Sequence, residues 1–212
     1  MSDIKIERLP LGFIGANCYF VTVNGETSVI DPGLNSPKLL SMFEKYKGQV
    51  KYILLTHRHA DHLMGLKMAK DITNAEVAIH SADKEGCHDS NFSLSKQIFR
   101  CEIEPVYPDI ILNDGDKLAL GTLEISVIST PGHTTGSVCF IIGDNIFSGD
   151  TVFYEQIGRC DFESGDYRQM LTSLKKLDNL EGDYNIYPGH GERTTLQHER
   201  EHNPYFEKAA EI

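Results

Sequence analysis

Between Thr56 and His62 the chain reads THRHADH, and the apolar run KYILLT, from Lys51 to Thr56, leads straight into it. On the far side, Asp61 to Lys70 carries Leu63, Leu66 and Met68 among its apolar positions, a spacing that predicts a helix. A buried strand therefore ends, three histidines and an aspartate follow, and a helix begins. Given nine histidines in 212 residues, an H-x-H-x-D-H pattern arises by chance in about one such chain in a thousand. On a strand end, side chains at i and i+2 point the same way, so His57 and His59 can clasp one ion. The change of direction into the helix lets Asp61 and His62 aim at a second.

Three further residues stand in similar places, each after an apolar strand and beside glycine: His133 in TPGHTTGS, Asp150 in FSGD and His190 in YPGHG. Polar groups at the ends of buried strands converge on one rim of a layered fold, and glycine beside them permits close backbone approach. Imidazoles and carboxylates without thiolate suit Zn²⁺, Fe or Mn²⁺ and disfavour an all-oxygen Ca²⁺ or Mg²⁺ cage.

The rest of the chain alternates strands and helices. Ile4 to Leu9, NCYFVTV from Asn17 and TSVIDPG from Thr27 read as a meander. A Ser36-Pro37 pair opens a helix with Leu39, Leu40, Phe43 and Tyr46 at helical spacing. Ala75 to His80 is a short strand, and residues 81 to 110 have mixed character with no assigned element. KLALG, LEISVIST, VCFII and NIFSGD then read as strands, followed by a loop to Gly165, a helix from Tyr167 to Leu177 and the strand YNIYPGH. This order predicts one domain over residues 1–212, a four-layer αββα sandwich.

Composition narrows the function. Hydrophobic residues make up 40% and charged residues 24%, values of a folded chain, and the net charge of −11 disfavours nucleic acid. No apolar run approaches the roughly 20 residues of a membrane helix, so no membrane partner is expected. Five scattered cysteines without a CxxC pair point to a reducing cytoplasm.

The full pattern, H-x-H-x-D-H and then a single His, a single Asp and a last His, resembles the metallo-β-lactamase superfamily. The runs GDTVF at Gly149, IGRCDF at Ile157 and YPGHG at Tyr187, with E-x-x-x-N-P from Glu199, are closer to short bacterial glyoxalase II-like hydrolases. The resemblance implies an αββα sandwich. It implies that His57, His59 and His133 hold one metal, that Asp61, His62 and His190 hold another, and that Asp150 bridges them. Two ions sharing a water lower its pKa from 15.7 towards about 7, and Asp61 helps orient the resulting hydroxide against an acyl carbonyl. A thiolate leaves readily, which points to an anionic thioester such as S-lactoylglutathione as substrate.

Arg159 stands where such enzymes carry a basic residue that contacts substrate, but two positions later Asp161 replaces their aromatic residue. The extra C-terminal helical region of full-length glyoxalase II enzymes is also missing, with 22 residues following His190. The GRxDF run is shared with mononuclear iron persulfide dioxygenases, a rival enzyme reading, whereas those enzymes have P-A-H-D where this chain has Pro188, Gly189, His190 and Gly191. A non-catalytic metal-binding module is the rival outside enzymes. His198 and His202 lie at i, i+4, a spacing able to bind metal, but their charged neighbours read as a solvated helix face.

Overall fold

Two six-stranded sheets form the centre of the protein, one from each half of the chain. The computed structural model describes residues 4–12 and 15–212. In the first sheet β1 (Ile4–Leu11), β2 (Ala16–Val23) and β3 (Glu26–Ile30) are antiparallel neighbours, and β4 (Val50–Leu54), β5 (Glu76–His80) and β6 (Ile110–Leu112) continue in parallel. Helix α1 (Pro37–Lys45) makes the crossover from β3 to β4; α2 (Ala60–Leu63) and α3 (Leu66–Thr73) make the next. Ser36 caps α1 by accepting the Leu39 N–H, with Pro37 at the first helical position, as the Ser-Pro pair predicts.

The second sheet contains β7 (Lys117–Leu120), β8 (Leu123–Ser129), β9 (Val138–Ile142) and β10 (Asn145–Gly149) as an antiparallel run. A small hairpin, β11 (Val152–Phe153) and β12 (Gln156–Ile157), and helix α4 (Tyr167–Asp178) follow. Then β13 (Asn185–Pro188) returns parallel to β10, β14 (Thr194–Thr195) pairs with β13, and α5 (Leu196–His202) and α6 (Pro204–Ala210) complete the outer layer.

Successive residues of a strand face opposite sides of its sheet, and here the two sides join different cores. Along β2, Tyr19, Val21 and Val23 pack between the sheets with Leu54, Phe140 and Phe147, while Cys18 and Phe20 pack against Leu39 and Phe43 of α1. A third core joins Ile146 and Ile186 to Leu171 and Leu174 of α4 and Phe206 of α6. Three cores separate four layers, the expected αββα sandwich.

The local readings need three corrections. The single helix expected over Asp61 to Lys70 is two, because the Gly65 N–H leaves the helical ladder to donate to Pro32 O at 2.8 Å. A Cβ there would lie 2.6 Å from that carbonyl, so only glycine fits the approach. The unassigned stretch contains a 3₁₀ turn, Lys84–Cys87, and a π-type turn, Ser95–Phe99, whose flanks Leu94 and Arg100 are both left-handed. The stretch read as a loop to Gly165 holds the β11–β12 hairpin.

Phe147 lies fully buried between the sheets, edge-on to Tyr19 at 5.3 Å and stacked on Tyr187 at 5.2 Å. Phe147→Ala is expected to cost about 3–5 kcal/mol in denaturant unfolding; a loss well under 1 kcal/mol would show that the sheets do not depend on this ring.

Candidate metal centre

Four loops meet at one rim of the sandwich. The β4 exit is tied to the second sheet where Val138 N–H donates to Thr56 O at 2.9 Å. The β2 start is tied to the β13 end where Asn17 N–H donates to Gly189 O at 2.7 Å, and Gly189 N–H in turn donates to Gly149 O at 2.8 Å. Any side chain that follows β4, β8, β10 or β13 therefore projects into the same space. A Cβ on Gly189 would overlap Asp150 Oδ1, which explains glycine immediately before His190.

All seven residues singled out as ligands gather here. His57, His59 and His133 form one group of candidate ligand atoms, and Asp61, His62 and His190 form another. Asp150 stands between them: its Oδ2 is 3.4 Å from His133 Nε2 and 3.6 Å from His190 Nε2, and its Oδ1 is 3.4 Å from His62 Nε2. Asp61 Oδ2 is 3.2 Å from His190 Nε2 and 3.6 Å from His62 Nε2.

The outer ring nitrogens of three histidines are held by the protein. His133 Nδ1 donates to Arg159 O at 2.7 Å, and His62 Nδ1 donates to Asp31 Oδ2 at 2.9 Å. Thr56 Oγ1 donates to Asp31 Oδ2 at 2.6 Å and so accepts from His57 Nδ1 at 3.1 Å. Each of these bonds fixes a tautomer with its Nε2 lone pair facing inward, the arrangement of metal-bound imidazole. His57 Nε2 and Asp150 Oδ1 are buried without a hydrogen-bond partner among the described residues, and His59 turns Nδ1 to the centre, 2.8 Å from His133 Nε2. Stranding buried polar atoms costs about 1–3 kcal/mol each, and a shared cation removes that cost.

The electrostatics of the protein groups agree. Burial pushes His57 far below the ordinary imidazole range, and burial with neighbouring His133 brings His59 down to about 2, so both stay neutral as ligands must. His62 is the reverse: burial opposes its charge, but Asp150, Asp61 and Asp31 outweigh burial and raise it to about 10. Burial also works against the Asp61 carboxylate, yet His62 and His190 hold it below the carboxylate range. The carboxylates call for positive charge at this place, which a proton on His62 supplies in the protein alone and an ion would supply in its stead.

Two supporting residues escaped the sequence reading. Asp31, in the DPG turn, accepts the Thr56 N–H at 2.8 Å besides the bonds above. Asp83, in the unassigned stretch, accepts from Arg58 N–H at 3.0 Å, Thr134 Oγ1 at 2.6 Å and Gly136 N–H at 3.0 Å, tying the His57–His62 turn to the His133 loop. Burial raises its pKa against those bonds. A strand-end aspartate was a signal available for Asp31; nothing local marked Asp83.

Above the centre opens a cavity of about 600 Å³, walled by Ile98, Phe99, Phe153 and Phe162 with Arg159 at its rim. Cys160, half-buried, is pushed up to about 11 mainly by burial, which disfavours its thiolate. His198 and His202 lie on α5, where His198 Nε2 pairs with Glu155 Oε1 at 3.0 Å. Glu199 is turned inward, bonded to Thr194 Oγ1, Asn203 Nδ2 and the Glu155 N–H.

Residues 11–190 match the metallo-β-lactamase superfamily. The chain belongs to this superfamily. It is 30% identical to hydroxyacylglutathione hydrolase GloC of Haemophilus influenzae, over 95% of this chain and 98% of that protein. Among solved structures, the B3 metallo-β-lactamase BLEG-1 superposes with a TM-score of 0.88 at 31% identity, covering 95% of this chain and 99% of that one. The di-iron-bound form of TTHA1623 superposes with a TM-score of 0.83, also at 31% identity, covering 94% and 100%.

Asp31→Ala is expected to weaken metal binding about 10–100-fold, because it frees both the His62 ring and the Thr56–His57 turn. Competition against a chromophoric chelator would measure this, and an affinity equal to that of the unaltered protein would remove Asp31 from the site.

Proposed function

We propose that the protein is a dinuclear metallohydrolase of thioesters, with S-lactoylglutathione as the representative substrate. The observation that carries this reading is Asp150, which stands between the two groups, its Oδ2 near His133 and His190 and its Oδ1 near His62, while Oδ1 has no hydrogen-bond partner among the described residues. His57, His59 and His133 would hold one ion, Asp61, His62 and His190 the second, and Asp150 both. The N/O donor set suits Zn²⁺ foremost, with Fe and Mn²⁺ within its range. Such ions, when bound, polarise a carbonyl and make hydroxide available at neutral pH.

The chain's own groups favour a thioester. Asp61, kept ionised beside His62 and His190, accepts a hydrogen bond from the attacking water and orients it. Apart from the candidate metal ligands and Arg159, the cavity is lined by Ile98, Phe99, Phe153 and Phe162, which offer no proton to a leaving group. A thiol, with a pKa of about 8.5, departs as thiolate without one, whereas an amine or alkoxide does not. The likeness to GloC supports the same chemistry. Arg159, on the cavity rim, would meet the anionic end of the substrate. The cysteines at 18, 87, 101, 139 and 160 are all free, which supports a reducing, cytoplasmic setting. No helix among the described residues is long and apolar enough to cross a membrane.

Elemental analysis after chelator-free purification with metal supplied is expected to give two ions per chain, and the same sample to hydrolyse S-lactoylglutathione. Asp150→Ala should reduce turnover by roughly two orders of magnitude or more and lower the metal content, since one side chain serves both ions. One iron per chain, with oxygen uptake from glutathione persulfide in place of hydrolysis, would select the dioxygenase reading instead.

A further inference from the structure

Arg58 stands between His57 and His59 in the ligand turn, yet its side chain does not line the cavity and the residue is only 3% exposed. Its guanidinium lies over the Phe92 ring, 3.8 Å from the centroid. Nη2 donates to Glu163 O at 3.1 Å and to Ser164 Oγ at 2.9 Å. The stem is packed as closely: a Cβ on Gly86, in the 3₁₀ turn, would lie 2.5 Å from Arg58 Cβ. Among the described residues no carboxylate forms an ion pair with this buried cation, and its Nε has no hydrogen-bond partner.

A cation so placed does little for the stability of the fold. Withdrawing a charge from water is costly, and an aromatic face with two neutral acceptors offsets only part of the cost. An unbranched apolar side chain would fill the same space at less cost, so what the guanidinium supplies is its grip in several directions at once. The two things it grips are two walls of the cavity. Phe92 leads into the π-type turn that carries Ile98 and Phe99, and Glu163 and Ser164 follow Phe162 directly. Leu94, Arg100 and Ser164 are left-handed non-glycine residues, a conformation that persists only where the surroundings impose it. From the ligand turn the backbone adds one bond to the first wall, Ala60 N–H to Ser93 O at 2.9 Å, and among the described residues none to the second.

We propose that Arg58 is a positioning residue that holds both apolar walls in place against the metal centre, so that the space left for substrate is set from the ligand turn itself. This rests on the thioester reading above. Arg58 acts not on the reacting atoms but through Phe92 on Ile98 and Phe99, and through Glu163 and Ser164 on Phe162. Removing the guanidinium leaves every candidate ligand where it is and frees the walls, which weakens substrate binding more than the chemical step.

Hydrogen exchange on the metal-loaded protein, with and without Arg58→Met, tests it, because Met keeps an unbranched stem and loses the grip. The reporters are the Ile98 N–H, which donates to Leu94 O at 2.9 Å, and the Asp166 N–H, which donates to Gly132 O at 2.8 Å. Both are expected to exchange at least about tenfold faster in Arg58→Met, while the amides of β9 and β10 keep their rates. The same variant should hold as much metal as the unaltered protein and raise KM for S-lactoylglutathione about five- to tenfold, with kcat within about threefold. Phe92→Leu, which releases one grip only, should speed exchange at Ile98 and leave Asp166 as it was. Unchanged exchange at either reporter in Arg58→Met overturns the proposal, as does equally faster exchange throughout the sheets, which marks a loss of overall stability alone. Loss of metal, or a fall in kcat at constant KM, also overturns it, because Arg58 would then serve the ligand turn. Unaltered exchange at Ile98 in Phe92→Leu overturns it independently, whether or not Arg58→Met folds. Failure of the thioester reading shows separately from the exchange rates, as no hydrolysis of S-lactoylglutathione by the unaltered metal-loaded protein.

Discussion

Asp31 leaves the end of β3 in a left-handed conformation, φ 52°, and commits both carboxylate oxygens to the turn that follows β4. A non-glycine residue there stores of order 1 kcal/mol of strain, which persists only where the surroundings over-determine it. They do so here: the carboxylate accepts from Thr56 N–H, Thr56 Oγ1 and His62 Nδ1, three donors from a segment 25 to 31 residues away. Without those bonds the HRHADH turn has no reason to present its nitrogens inward. The tautomers of His57 and His62 both descend from this one carboxylate.

Around that anchor, the site is a consequence of how the sheets are clamped. The bonds from Val138 to Thr56 and from Asn17 to Gly189 join strands of different sheets through backbone atoms alone. Backbone clamps hold strand ends in register whatever the side chains are, so the residue after each strand is delivered to the same rim. Single residues such as His133, Asp150 and His190 can then serve without a local motif around them.

This is also why so much was legible in the sequence. The strand-to-helix position of His57–His62 and the Gly-flanked settings of His133, Asp150 and His190 are local patterns, and the structure brings all seven together. The meander, the crossover helices and the αββα layering follow from periodicity in the same way. What could not be read depends on contacts made across the chain. The break at Gly65 is imposed by Pro32 O, a partner 33 residues away, and Asp83 acts only because Thr134 and Gly136 arrive opposite it. The apolar wall from Ile98 and Phe99 sits in a stretch with two left-handed non-glycine residues, where neither a period of two nor one of 3.6 can emerge. Arg159 was legible by position, but its bond to Asp161 was a matter of geometry.

The short C-terminal segment takes part in the site without touching the ligands. Glu199 is fully buried on α5 and accepts from Thr194 Oγ1, Asn203 Nδ2 and the N–H of Glu155, the left-handed tip residue of the β11–β12 hairpin. Asn203 Nδ2 also donates to Gln156 O on the same hairpin. A buried carboxylate with fewer donors would be costly, so α5 and the hairpin hold each other in place. The hairpin carries Phe153 on one strand and leads through Ile157 and Gly158 to Arg159 on the other. The rim of the cavity is thus braced from outside the second sheet, through Glu199 and Asn203.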